Sequence, residues 1–354
     1  MIRVLIVDDS AFMRHKLTKL LESDPFFQVV GAARDGVECL KMAKELLPDL
    51  ITLDLEMPVM DGITVLPRLL IEAPCRVVMI GSPTKRSPEI MLECLNLGAV
   101  DAITKPSGEV SLDIGDYSEA LLERLRTAAK SRRPTKRFRV ARQAPAPAAT
   151  VSGGPAQVIL AIGASTGGPK AVSEVITLLP PQLPCAIVVV QHMPPTFTSS
   201  FAARLGQVGA YPFIESEAGE TLRMGHGYVA CGGRHAVLSA RSAGGFQFRT
   251  SLQPADHPHK PSVDVFFQSC AEVVGTLTVA ALLTGMGDDG ALGMKAIRTA
   301  GGATVAEDES SCVVFGMPAR AIELGGAETV LPLPKIASHL ARCVLQRHSA
   351  QGAT

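Results

Sequence analysis

The chain has 354 residues, of which 47% are hydrophobic and 19% are charged. This length fits two domains of ordinary size, and the supply of apolar residues for sizeable cores excludes a disordered chain. The formal net charge is zero, although nine Lys/Arg and no Asp/Glu fall between residues 124 and 142. The eight cysteines include no CxxC pair, so we expect buried, reduced thiols rather than a zinc site or a redox couple.

The sequence contains neither a predicted signal peptide nor a predicted membrane-spanning segment. The N-terminal segment, Met-Ile-Arg-Val-Leu-Ile-Val-Asp8-Asp9, becomes acidic after a short apolar run, which is unlike a secretory signal peptide. The best uninterrupted apolar segment, Val273 to Met286, is too short to cross a bilayer. We therefore predict a cytoplasmic protein without membrane insertion.

Short β-branched runs alternate with segments of helical apolar spacing along the chain. In the first third these runs are residues 2–7, 28–32, 49–53, 76–80 and 100–104. After residue 155 the strongest runs are residues 158–162, 186–191 and 279–284. This alternation predicts βαβ units, and hence parallel sheets with ligands beyond the carboxyl ends of the strands.

A change in composition separates the two halves. From about residue 120 the pattern gives way to Lys/Arg and then to Pro/Ala, ending at Gly153-Gly154-Pro155. Such a segment is typical of a linker, which we expect to start as an extension of a helix and to end extended and flexible. The predicted fold is therefore two doubly wound parallel-sheet α/β domains, at residues 1–120 and 156–348, joined by a basic linker at 121–155.

Acidic residues follow the strands of the first predicted sheet. Asp8 and Asp9 follow the first strand, Asp54 follows the third and Lys105 follows the fifth. Three carboxylates at one sheet edge would repel one another unless a hard divalent cation lay between them, and Mg²⁺ prefers such oxygen ligands. One carboxylate could then attack phosphorus while the metal and Lys105 offset the growing charge.

These residues resemble those of a known family. Val7-Asp8-Asp9-Ser10, the segment from Leu53 to Gly62 and Thr104-Lys105-Pro106 are similar to the receiver domain of two-component response regulators. The resemblance implies a flavodoxin-like fold, Asp54 as the phospho-acceptor and Mg²⁺ held by Asp8, Asp9 and Asp54. It also implies a hydroxyl residue where this chain has Gly81, with Ser82 next to it as an alternative, and an aromatic residue where it has Ala102.

A serine turn follows the first strand of the second half. Gly163-Ala-Ser165-Thr-Gly167-Gly168-Pro169 matches GxSxG, and free backbone amides at a helix start could stabilise an oxyanion there. A dinucleotide fingerprint is disfavoured because Ser165 replaces its second glycine. A merely structural tight turn remains an alternative reading of this segment.

The partners of the serine favour nucleophilic catalysis. His192 follows the strand at 186–190, and Asp289 lies in the Gly-rich turn after the strand at 279–283. A histidine within reach of Ser165 would accept its proton, and a carboxylate behind the imidazole would fix the tautomer. The chain order Ser, His, Asp disfavours an ordinary α/β-hydrolase. We expect structural or solvated roles for the other histidines considered, His15, His226, His235, His257 and His259.

Over nearly its whole length the sequence resembles the chemotaxis-type protein-glutamate methylesterases. The resemblance rests on Ala161–Gly168, Val190–Pro194, Pro261–Asp264, Leu283–Gly290 and Ser311–Pro318. It implies Ser165 as nucleophile, His192 as base and Asp289 as acid, although the sequence alone does not exclude Asp288.

The resemblance also implies a reaction and its partners. The reaction would be hydrolysis of γ-glutamyl methyl esters on chemoreceptors, with glutamine deamidation by the same acyl-enzyme and no cofactor for the esterase step. A chemotaxis histidine kinase would phosphorylate Asp54. Phosphorylation would then shift the receiver domain away from the active-site rim.

A DNA-binding response regulator is the alternative function. The basic stretch from Arg124 to Arg142 could neutralise phosphates, but Phe138 is its one aromatic residue. No helix-turn-helix signal follows it. We therefore predict no nucleic-acid partner.

Overall fold

The computed structural model describes residues 1–82, 87–105, 115–133 and 153–351. The chain divides into two compact units, Met1–Val140 and Ala141–Thr354. The parallel α/β organisation predicted for both halves is confirmed, whereas residues 134–152 of the predicted linker lie outside the described residues. In the part of the chain that is described, no helix is long and apolar enough to span a bilayer.

The first unit alternates strands and helices. In chain order these are β1 (Ile2–Val7), α1 (Ala11–Glu22), β2 (Phe27–Ala33), α2 (Gly36–Leu46), β3 (Leu50–Asp54), α3 (Gly62–Glu72), β4 (Arg76–Gly81), α4 (Ser87–Leu97), β5 (Asp101–Thr104) and α5 (Gly115–Lys130). The described strands form a parallel sheet in the order β2-β1-β3-β4-β5. The order reverses between β1 and β3, the position where open α/β sheets bind ligands.

Helix α5 continues into the segment that the sequence analysis assigned to the linker. Residues 121–130 form the last part of this helix. The cause is an apolar face at helical spacing, with five buried residues: Leu121, Leu122, Leu125, Ala128 and Ala129. Two cations of the basic stretch pair with acids of the same unit, Arg124 with Asp101 and Arg126 with Asp24.

The second unit has two sheets among its described residues. Its elements are β6 (Val158–Ala164), α6 (Gly168–Leu178), β7 (Cys185–Gln191), α7 (Pro195–Val208), β8 (Phe213–Glu215), β9 (Gly227–Val229), β10 (His235–Ala240), β11 (Phe246–Ser251), α8 (Val263–Val273), a 3₁₀ turn (Gly275–Leu277), β12 (Thr278–Leu282), α9 (Ala291–Thr299), β13 (Ala303–Glu307), α10 (Met317–Glu323), β14 (Thr329–Leu331) and α11 (Leu333–Gln351). The larger sheet is parallel, in the order β14-β13-β12-β6-β7-β9-β8, and β10 pairs with β11 in antiparallel fashion.

Three adjacent central strands position the carboxyl-end loops of the larger sheet. Strands β12, β6 and β7 are neighbours and are buried along their whole length, as expected for strands covered by helices on both faces. Helix α8 packs closely over β6, since a Cβ atom at Gly163 would lie 2.3 Å from Val263 Cγ1. The absence of a side chain at Gly163 therefore brings the N-terminus of α8 to the edge where these strands end.

Phe267 tests this packing of α8 against the sheet. Its side chain is fully buried and lies near the backbone of both Gly163 and Gly293. We expect Phe267→Ala to lower the free energy of unfolding of the second unit by about 3–5 kcal/mol, measured by urea denaturation followed by circular dichroism. Leu292→Ala is the control, because Leu292 is 56% exposed. Equal losses in the two variants would contradict the packing described.

Candidate active site

Ser165 lies in a tight turn between β6 and α6. Its backbone amide donates to the carbonyl oxygen of Thr284 at 3.0 Å, and the Gly168 amide donates back to the Ser165 carbonyl oxygen at 2.8 Å. Gly167 has φ = 78°, a left-handed conformation that glycine adopts without strain. The turn leaves the Ser165 residue half-buried at the start of a helix.

His192 links Ser165 to Asp289. Its Nδ1 atom lies 3.1 Å from Ser165 Oγ, and its Nε2 atom lies 2.6 Å from Asp289 Oδ2. The His192 side chain is 8% exposed and that of Asp289 is 5% exposed. The three residues predicted from the sequence thus form one hydrogen-bonded line at the ends of adjacent strands.

The N-terminus of α8 holds the carboxylate of Asp289. The Asp289 Oδ1 atom accepts hydrogen bonds from the Ser262 hydroxyl at 2.7 Å and the Asp264 amide at 2.9 Å. The Val263 amide donates to Oδ2 at 2.7 Å. Amides at a helix start would otherwise lack partners, and the helix dipole favours an anion there.

These contacts keep Asp289 ionised. Burial alone would raise its pKa, but hydrogen bonds from His192, the Asp264 amide and the Ser262 hydroxyl hold the pKa of this carboxyl well below its usual range. A carboxylate that stays charged can fix the imidazole orientation and stabilise the imidazolium during proton transfer.

The structure distinguishes the two adjacent aspartates that the sequence left open. Asp289 is buried and contacts His192, whereas Asp288 is exposed. The backbone carbonyl of Asp288 accepts the Ala291 amide at the start of α9. Asp288 is therefore part of a helix start and not of the hydrogen-bonded line.

Three histidines that we expected to have structural or solvated roles surround this line. The ring of His259 stacks on that of His192 with centroids 4.0 Å apart. His257 Nε2 lies 3.7 Å from Asp289 Oδ1, and His235 Nδ1 accepts the Ser262 amide at 3.2 Å. The signal that the sequence analysis missed was the position of His257 and His259 just before the start of α8.

The first unit has its own cluster of acidic residues at the ends of β1 and β3. Asp8, Asp9 and Asp54 each offer a carboxylate oxygen within 4.8 Å of the others. Lys105 Nζ, just after β5, lies 2.8 Å from Asp8 Oδ2 and 2.7 Å from Asp54 Oδ2. The structure thus brings together the four residues predicted for phosphoryl transfer.

The donor set of this cluster fits a hard divalent cation. Burial raises the pKa of Asp54 to about 6, against the opposing effect of Lys105. Two buried carboxylates, Asp8 and Asp54, and one exposed carboxylate, Asp9, suit Mg²⁺, which takes carboxylate, water and phosphate oxygens.

Comparisons with known proteins match both units of the chain. The family model for CheB methylesterase matches residues 160–340, and the model for the response regulator receiver domain matches residues 4–113. A protein-glutamate methylesterase/protein-glutamine glutaminase 3 of Syntrophomonas wolfei is 44% identical, with 97% of this chain and 99% of the relative covered. The chain belongs to the CheB methylesterase family.

Two further relatives support this assignment. A protein-glutamate methylesterase/protein-glutamine glutaminase 2 of Pseudomonas aeruginosa is 44% identical, with 98% of each chain covered. The CheB methylesterase catalytic domain of Thermotoga maritima is similar in structure, with a TM-score of 0.51 and 41% identity, over 52% of this chain and 97% of that one. The predicted family resemblance is confirmed.

Gly81 and Ala102 occupy the positions where the receiver resemblance implies a hydroxyl and an aromatic side chain. Gly81 ends β4 and pairs with Thr104 of β5. A Cβ atom at Gly81 would lie 2.6 Å from Met91 Cε and 3.3 Å from Leu55 Cβ. The Met91 side chain therefore fills the space that a larger residue 81 would need.

Asp264 is a second carboxylate at the start of α8, and its environment differs from that of Asp289. Its Oδ1 atom accepts the Gly293 amide of α9 at 2.6 Å. Burial raises the pKa of Asp264 to about 6; backbone amides oppose this rise, and the charge of Asp289 adds to it. Folding therefore disfavours the ionised form of Asp264 and favours that of Asp289.

These opposite shifts predict opposite effects of pH on stability. An unfolded aspartate ionises near pH 4, so the contribution of Asp264 is present below that pH and is lost as the pH rises through about 6. We expect the free energy of unfolding of Asp264→Asn, relative to wild type, to increase by about 1–2 kcal/mol between pH 4 and pH 7. Urea denaturation at each pH measures it.

Asp289→Asn supplies the internal control. The pKa of Asp289 is lowered by folding, so its contribution is present above pH 4 and is lost as the pH falls. The deficit of this variant relative to wild type should stay nearly constant between pH 4 and pH 7 and should shrink as the pH falls from 4 to 2. A deficit that shrinks between pH 4 and pH 7, as expected for Asp264→Asn, would contradict the electrostatics described.

Proposed function

We propose that this protein hydrolyses γ-glutamyl methyl esters on chemoreceptors, releasing methanol, and deamidates selected receptor glutamines by the same route. The observation that carries the proposal is the hydrogen-bonded line from Ser165 through His192 to Asp289. The names of relatives that align over nearly the whole chain combine the same two activities. Ser165 is the proposed nucleophile, His192 the base and Asp289 the acid.

Acylation begins with the Ser165 hydroxyl. Its oxygen attacks the ester carbonyl carbon while its proton moves to His192 Nδ1, 3.1 Å away. Asp289 stabilises the imidazolium through Nε2, and backbone amides at the start of α6 face the developing oxyanion. The tetrahedral intermediate collapses when the imidazolium protonates the methoxy oxygen, and methanol leaves the acyl-enzyme.

Deacylation repeats these steps with water as the nucleophile. His192 accepts a proton from water, and the resulting hydroxide attacks the acyl carbon. Ser165 then leaves with the proton from His192, which frees the glutamate carboxyl group. A glutamine side chain follows the same path with ammonia in place of methanol, so both activities need only one nucleophile.

The acidic cluster of the first unit supports regulation by phosphorylation. We propose that Asp54 accepts a phosphoryl group from a chemotaxis histidine kinase, with Mg²⁺ held by Asp8, Asp9 and Asp54. When bound, the metal would neutralise charge on the phosphoryl oxygens. Lys105 contacts both Asp8 and Asp54, and its ammonium group would contribute in the same way. The protein would act in the cytoplasm, where receptor adaptation requires it.

The DNA-binding alternative has no support from a specific observation. Arg124 and Arg126, which prompted it in part, form ion pairs with Asp101 and Asp24. These two cations are therefore engaged within the first unit, and the family match assigns the second unit to methylesterases.

Removal of the nucleophile tests the proposed function directly. We expect Ser165→Ala to lower methanol release from methylated receptor membranes by about 10⁴–10⁶-fold, the usual cost of losing a triad member. His192→Ala should have a similar effect. Thermal unfolding and labelling of the protein by acetyl phosphate serve as controls and should not change. Retention of more than about a tenth of the wild-type rate by Ser165→Ala would falsify the serine mechanism.

The adjacent aspartates provide a matched pair of variants. Asp289→Asn should lower the rate by about 10⁴-fold, because an amide at this position favours the wrong imidazole tautomer. Asp288→Asn should stay within about threefold of wild type, because this exposed side chain is not bonded to His192. Methanol release measures both effects, and equal damage would leave the acid unassigned.

Asp54 and its metal can be tested by stimulation of the esterase. We expect acetyl phosphate with Mg²⁺ to raise methanol release by the wild-type protein, and removal of Mg²⁺ with a chelator to abolish this increase. Asp54→Ala should stay at the unstimulated rate. Asp35→Asn is the control, because Asp35 caps α2 outside the cluster. Stimulation of Asp54→Ala to the wild-type level would disprove the assigned acceptor.

A further inference from the structure

Thr284 lies just beyond β12 and is bonded to several segments around the nucleophile. Thr284 is 1% exposed. Its backbone amide donates to Glu307 Oε2 at 2.8 Å, and its backbone carbonyl accepts the Ser165 amide at 3.0 Å. Thr284 thus connects the end of β13 to the turn that carries Ser165.

The hydroxyl of Thr284 adds a second connection to the same turn. It accepts the Val313 amide at 3.1 Å and the Val314 amide at 2.9 Å. Its single proton has two acceptors within reach, the Thr166 carbonyl at 3.0 Å and the Val314 carbonyl at 3.2 Å. The bond to Thr166 is the shorter of the two, and the Val314 carbonyl also accepts the Gly285 amide.

These bonds fix the two peptide groups that follow Ser165. The Ser165 carbonyl is held by the Gly168 amide and by Gln191 Nε2, both at 2.8 Å. The Thr166 carbonyl is held by the Thr284 hydroxyl. Because each peptide is planar and trans, its N–H points away from its carbonyl. Within the described residues, neither the Thr166 amide nor the Gly167 amide has a hydrogen-bond acceptor.

We propose that Thr284 is a positioning residue for the hydrolysis. By holding the Thr166 carbonyl, its hydroxyl orients the peptide group whose N–H is the Gly167 amide, so that this amide faces the oxyanion formed at Ser165. This inference rests on the proposed function, because it assumes that Ser165 is the nucleophile. Thr284 touches neither Asp289 nor His192 in the described hydrogen bonds, so its action is separate from proton transfer.

The hydroxyl can be removed with little change in side-chain shape. We expect Thr284→Val to lower kcat for methanol release from methylated receptor membranes by about 10–100-fold, since oxyanion donors act mainly in the transition state. KM should stay within about twofold. Thr284→Ser keeps the hydroxyl and should restore kcat to within about threefold of wild type.

The pH dependence of kcat/KM distinguishes a change in the orientation of the turn from a change in the pKa of the base, His192. The midpoint of the pH dependence of kcat/KM should be the same in Thr284→Val and wild type, because the contacts of His192 are unchanged. A shifted midpoint would contradict the proposal. If the valine variant fails to fold, Thr284→Ala leaves room for water to pair the exposed amides, and it should show the same loss of kcat.

Thr304 is the matched control for the loss of a buried hydroxyl. It lies in β13 of the same sheet and is 1% exposed. Its hydroxyl donates to the Gly326 carbonyl at 2.7 Å and accepts the Glu328 amide at 2.9 Å. Thr304→Val should lower the unfolding temperature but leave kcat near the wild-type value.

Two results would overturn the inference while leaving the proposed function intact. One is a folded Thr284→Val protein with wild-type kcat beside an inactive Ser165→Ala protein. The other is an equal loss of kcat in Thr284→Val and Thr304→Val. Activity in Ser165→Ala would instead reject the proposed function itself.

Discussion

The buried charge of Asp289 is the constraint on which the catalytic unit depends. An isolated carboxylate in such a place is costly unless donors surround it. Here the donors are the first amides of α8 and the Ser262 hydroxyl, and they reach the sheet edge because Gly163 lets the helix pack closely on β6. The absence of a side chain at Gly163 therefore allows α8 to hold Asp289, and Asp289 in turn orients His192.

The two acidic sites use opposite electrostatics. Asp289 has fixed donors that keep its pKa low, which suits a permanent anion that orients an imidazole. Asp54 has fewer fixed donors, and burial raises its pKa. A bound cation would stabilise the charge of such a carboxylate. Two backbone amides donate to Asp289 and one donates to Asp54, and this difference accompanies the opposite shifts of the two pKa values.

Sequence reasoning predicted best where a side chain follows directly after a buried strand. Asp54, Ser165 and His192 each stand at such an end, so the parallel sheets alone bring them to the correct edge. Sequence reasoning did not place residues that a long loop brings to the site. His257 and His259 reach the site from the segment before α8. Their placement depends on tertiary packing, which the spacing of apolar residues in the sequence does not predict.

The sequence alone decided neither between the neighbouring residues Asp288 and Asp289 nor where helix α5 ends. Asp288 and Asp289 are chemically identical neighbours, and only the path of the loop decides which one is buried. At the end of α5, three cations between residues 124 and 130 lie among apolar side chains at helical spacing, so composition alone does not mark where the helix ends. Overall polarity of a segment predicts a linker, but burial follows the spacing of its apolar side chains.

The chain order of the site residues follows from topology. Strands β6, β7 and β12 are neighbours in the sheet, so the loops after them meet at one edge whatever their order in the sequence. A hydrogen-bonded line of serine, histidine and aspartate needs only that meeting point. The α/β-hydrolases reach a similar line in the order Ser, acid, His. The order Ser165, His192, Asp289 therefore indicates a different sheet topology and leaves the chemistry of the line unchanged.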